Sequence, residues 1–103
     1  MAIDFTPAAR RDILLAARQL RERFGEKSAA SFRTRLDTTL ARLEAAPLSV
    51  AVLDAPPDGY PELRVAPVNR FAARLVFFTP TDTGILVVRV MLAASDWMSE
   101  LAD

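Results

Sequence analysis

The sequence contains no cysteine and no histidine in its 103 residues. Without cysteine it can form neither disulfides nor thiolate metal sites, which fits a reducing cytoplasm, the expected location. Without histidine it lacks the commonest general base, the commonest metal ligand and every histidine-based triad. Lysine, tyrosine and tryptophan occur once each, as Lys27, Tyr60 and Trp97. The opening stretch MAIDFTPAARRD holds no apolar run of signal-peptide length. No run approaches the ~20 apolar residues of a membrane span. Neither a cofactor nor a membrane association is expected. Net charge is also missing, with 13 cations balancing 13 acids. A general nucleic-acid binder would be basic, so direct DNA binding is not expected.

What remains is apolar and rich in arginine. Hydrophobic residues make up 51% of the chain, generous for a single small domain spanning residues 1–103, so part of that surface is expected to lie under a partner. The charge balance conceals a polarity. Residues 1–46 carry nine cations and six acids, net +3, whereas residues 47–103 carry four cations and seven acids, net −3.

Along the chain, AIDF suggests a short strand. Thr6 followed by Pro7 reads as an N-cap with proline at the first helical position. Ile13, Ala17, Leu20 and Phe24 then recur at helical spacing, and Gly25 ends the helix. A second helix begins near Ser28, carries Ala29, Phe32, Leu36, Leu40 and Leu43 on one face, and stops at Pro47. The short gap between the helices forces an antiparallel hairpin. The proline-rich APLSVAVLDAPPDGYP is a loop with a short extended piece at Val50–Leu53. Three strand-like runs follow, ELRVAPV, FAARLVFF and ILVVRVML, joined by short turns into an antiparallel meander. Ser95 is placed as the N-cap of a short closing helix bearing Trp97 and Leu101. The fold class is α+β, with the helical hairpin on one face of the sheet.

Three arginines sit within the strands. If Phe78 lies opposite Ile85, one face carries Phe71, Ala73, Leu75 and Phe77 beside Leu86, Val88, Val90 and Leu92, and should meet the hairpin. The other face then carries Arg70, Arg74, Val76 and Phe78 beside Ile85, Val87, Arg89 and Met91, with Arg64 next to Arg74. Like charges opposed across strands are unfavourable, so such a cluster points to an anionic or carboxylate-bearing partner. The plainer alternative is internal neutralisation by Asp96, Glu62 or Asp82.

The stretch PELRVAPVNRFAARLVFFTPTDTGILVVRVMLAASDW resembles the ParE/RelE superfamily of bacterial type II toxins. Arg74–Phe78 match that family's R-x-V-F-Y strand, and Ile85–Asp96 match its strand running into a short helix. The resemblance implies a toxin held by a cognate antitoxin of ribbon-helix-helix type, whose flexible segment wraps the hairpin and sheet. RelE-like members cleave messenger RNA, whereas ParE-like members inhibit DNA gyrase by binding. Leu92 stands where the family often has His and Ser95 where it often has Arg. With no titratable base in the strands, the ParE-like reading is preferred. The RelE-like ribosome-dependent endoribonuclease and a non-toxic toxin-like interaction module are the alternatives. The expected partner-binding residues are Arg64, Arg74, Arg89, Phe78, Met91, Asp96 and Trp97, with Trp97 open to a second role in docking the last helix.

Overall fold

The computed structural model describes residues 2–102. The chain folds as β1 (Ala2–Phe5), α1 (Pro7–Phe24), α2 (Glu26–Ala45), one 3-10 turn (Pro47–Ser49), β2 (Arg64–Val68), β3 (Phe71–Pro80), β4 (Gly84–Leu92) and α3 (Trp97–Ala102). The expected element order is therefore present, apart from the small 3-10 turn. Met1 and Asp103 lie outside the described residues.

Thr6 caps α1 by accepting the Ala9 amide at 3.0 Å, and Pro7 occupies the first turn. One residue, Gly25 at φ 94°, separates the helices, and that left-handed backbone suits glycine alone at low cost. On α2 the expected stripe of Ala29, Phe32, Leu36, Leu40 and Leu43 is buried. On α1 the buried residues are Ala9, Ile13 and Ala16, while Phe24 at the far end is 66% exposed.

The three C-terminal strands form the expected meander, and β1 extends it into a four-stranded sheet of order β1-β4-β3-β2. β1 runs parallel to β4, with Ala2 beside Gly84 and Phe5 beside Val87. Gly84 is required by close approach, because a Cβ there would lie 1.8 Å from the Ala2 carbonyl oxygen.

The register between β3 and β4 differs from the sequence expectation. Phe78 pairs with Val87 rather than Ile85, and Pro80 pairs with Ile85, because β3 continues through Thr79 and Pro80 before it turns. A bulge then leaves Val88 unpaired, since Phe77 faces Arg89 while Phe78 faces Val87. The shift of two residues keeps the alternation, but the hairpin covers the face opposite to the expected one, except at Phe71 and at Val90 beyond the bulge, which meet it as expected. Val76, Phe78, Ile85, Val87 and Val90 meet the hairpin core of Ile13, Phe32, Leu36 and Leu40. Leu75, Phe77, Leu86, Val88 and Met91 form a second cluster on the opposite face, covered by Leu53 and Tyr60 of the loop and by Trp97 and Leu101 of α3.

Candidate partner-binding surface

The expected cluster of three does not form: Arg74 and Arg89 line one groove beside α1 without facing each other across the strands, and Arg64 lies apart from them. Arg64 pairs across the strands with Phe78, four residues along β3 from Arg74, which is about 13 Å. It is buried. Its Nε donates to the Val50 carbonyl at 2.8 Å, its Nη1 donates to the Glu62 carbonyl at 2.9 Å, and the Glu62 carboxylate lies 3.7 Å away. Arg64 thus fastens the start of the proline-rich loop to the sheet edge and presents nothing to a partner.

Arg89 is answered within the chain, by an acid that the sequence reading did not consider. Its Nε donates to Asp12 Oδ2 at 2.6 Å and its Nη2 to Asp12 Oδ1 at 3.0 Å. The bidentate fork is the geometry that guanidinium and carboxylate planes favour. The same Oδ2 accepts the Val90 amide at 3.0 Å. Thr6 completes the arrangement by donating its hydroxyl to the Val88 carbonyl at 2.7 Å. Two side chains of the α1 region therefore satisfy backbone groups at the β4 bulge. The hydrogen bond that Arg89 donates to Asp12 raises the Arg89 pKa, burial works against it, and the charges of Asp12 and Glu100 add to the rise.

Arg74 is different. Its one side-chain hydrogen bond runs from Nη2 to Gln19 Oε1 at 3.4 Å. Among the described residues no carboxylate forms an ion pair with it. Partial burial lowers its pKa from the usual guanidinium value. It stands in a groove between α1 and the ends of β3 and β4. One part, about 200 Å³, runs from Asp12 and Arg89 past Leu15 and Gln19 to Arg74 and Leu92. The other, about 340 Å³, continues from Arg74 and Leu92 to Leu20, Arg23 and Phe24. Leu15 and Leu92 are 51% and 41% exposed. Glu100 and Ser95 also line the first part and Glu22 the second, with Asp12 held by Arg89 and Glu22 by Arg18. Arg74, outside any ion pair among the described residues, thus lies beside exposed Leu15 and Leu92, an arrangement able to take a carboxylate flanked by apolar groups.

The chain matches known proteins over most of its length. The family model described as ParE toxin of type II toxin-antitoxin system, parDE, matches residues 3–97. The chain belongs to the ParE toxin family. Among solved structures it is similar to a chain of the chromosomal ParDE TA system from P. aeruginosa, at TM-score 0.71 and 15% identity, covering 89% of this chain and 95% of that one. At that identity the likeness shows the shared fold. No curated protein matches the sequence.

The remaining expected contact residues of this ParE-family chain divide by burial. Phe78 is fully buried beneath the hairpin, and Met91 is buried in the second cluster, so neither offers surface. Trp97 packs on Phe77 with ring centroids 5.2 Å apart, which docks α3 on the sheet. Asp96 is exposed, and its carbonyl accepts the Glu100 amide at 3.2 Å at the start of α3. Ser95 does not cap that helix. Its hydroxyl donates to the Leu92 carbonyl at 2.7 Å and closes the preceding turn. The residues missed were Asp12, Leu15, Gln19 and Phe24. The adjacent pair Leu14–Leu15, one residue beyond the apolar stripe through Ile13, was the available signal that α1 carries more apolar surface than one core face uses.

Proposed function

We propose that this chain is the toxin of a type II toxin–antitoxin pair that inhibits DNA gyrase by binding, and that an antitoxin of ribbon-helix-helix type neutralises it by laying an acidic, apolar segment along the Arg74 groove. Membership of the ParE family supports the toxin role. The observation that carries the antitoxin site is Arg74 itself, a partly desolvated cation with no ion pair among the described residues, beside exposed Leu15, Phe24 and Leu92. A carboxylate brought by the partner would offset the hydration that burial removes, and hydrogen bonds to charged groups contribute about 1.5–3 kcal/mol.

The test is induction of the gene alone and with its antitoxin in a bacterial host. Filamentous cells with DNA-damage signalling are the expected outcome without antitoxin. Abrupt translation arrest with cut messages would replace gyrase by the ribosome as target, and unimpaired growth would leave a non-toxic module. The Arg74→Glu chain should remain toxic and escape neutralisation. Rescue of that variant at wild-type antitoxin levels would remove the groove from the antitoxin interface.

A further inference from the structure

The face opposite the helical hairpin carries a second cleft. It opens between the proline-rich loop and α3, has a volume of about 300 Å³, and is lined by Leu53, Ala55, Pro57, Trp97, Met98 and Leu101, with Asp54 at its rim. Met98 is 64% exposed beside it. The charged residue of the lining is Asp54. Residues 47–63 and 93–102, which include the lining, contain five acids and neither arginine nor lysine. Glu62 lies near Arg64 and Glu100 acts on Arg89, so those two are partly compensated. Asp54, Asp58 and Asp96 have no ion-pair partner among the described residues.

We infer that this cleft docks a cationic, apolar segment of a second protein. An apolar side chain would seat against Trp97 and Pro57, while a flanking arginine or lysine would meet Asp54. The chemistry is the reverse of the Arg74 groove, where the unpaired group is a cation, so one partner segment cannot suit both. The cleft and the groove share no lining residue, although α3 borders both, through Trp97, Met98 and Leu101 on the cleft and Glu100 on the groove.

Trp97 is the sole tryptophan and reports on the cleft directly. The purified chain is titrated with a short Trp-free peptide alternating leucine and arginine, and separately with a leucine–glutamate peptide of the same length, while Trp97 emission is followed. The leucine–arginine peptide should shift the emission saturably, and added salt should weaken that response by screening. The leucine–glutamate peptide should have no effect. Asp54→Lys, on the exposed loop, should weaken binding about threefold or more, the size expected for rim charges. Met98→Ser should weaken it too, whereas Leu14→Ser on the outer side of α1 should not. An equal response to both peptides, or a leucine–arginine response unchanged in Asp54→Lys and Met98→Ser, would overturn the inference. So would an emission shift that grows with the concentration of the chain alone, which would make a second copy the occupant.

Discussion

Asp12 holds a side chain and a backbone amide at once, and its loss should be felt twice. In Asp12→Ala the Arg89 guanidinium stays partly buried without its carboxylate, and the Val90 amide at the bulge loses its acceptor. Both side chains are mostly shielded, at 15% for Asp12 and 24% for Arg89, so the cost should exceed that of a surface pair. The expected loss is about 2–4 kcal/mol, read as a lower urea midpoint at unchanged slope. Asp12→Asn keeps an oxygen for the Val90 amide and should lose less. Adding Arg89→Met to Asp12→Ala should recover part of the loss, because the stranded charge is then gone. That Arg89 is neutralised internally was foreseeable in kind, since the sequence allowed for an acid inside the chain. Its identity was not, because the pair spans 77 residues and joins α1 to a face assigned to the other side of the sheet.

At the level of elements, the caps and the apolar stripe of α2 were legible because one residue type leads at each. Thr6–Pro7 and Gly25 mark the boundaries of α1, and Leu36, Leu40 and Leu43 repeat at helical spacing. The faces of β3 and β4 were not. Alternation identifies the buried side only when the two sides differ in polarity, and here both are covered. Phe77 and Phe78, neighbours on opposite faces, are each fully buried. Nothing in that alternation selects a side, and the bulge at Val88 then breaks the period. The parallel pairing of β1 was equally hidden, although Gly84 is its mark. Gly84→Ala would drive a methyl group into the Ala2 carbonyl and push β1 from the sheet. A loss of about 1–3 kcal/mol is expected. In hydrogen exchange the Thr6 amide, which donates to the Val87 carbonyl, should lose protection, while central β3 amides keep theirs. Retained protection at Thr6 would show that β1 tolerates the methyl group.

For the molecule as a whole, the sheet divides two unequal layers. Among the described residues, the hairpin side buries 14 in one cluster, from Ala9 to Val90, whereas the loop and α3 side buries four: Leu63, Phe77, Val88 and Met91. With so few buried contacts the second layer should open locally, at a free energy below that of global unfolding. The six-residue α3 is held there mainly by Trp97 against Phe77 and by Leu101. Trp97→Ala should therefore detach α3 without melting the hairpin, and cost about 1–3 kcal/mol, less than a fully buried tryptophan would. Hydrogen exchange should quicken in α3 and around Leu53 and Leu63, whose backbones are bonded to each other, and a dye that binds exposed apolar surface should bind more strongly. Exchange in α2 should stay unchanged, because Phe32, Leu36 and Leu40 belong to the other layer. Equal acceleration in both layers would mean that the two clusters melt as one unit, and that the cleft beside Trp97 is no more adaptable than the rest of the fold.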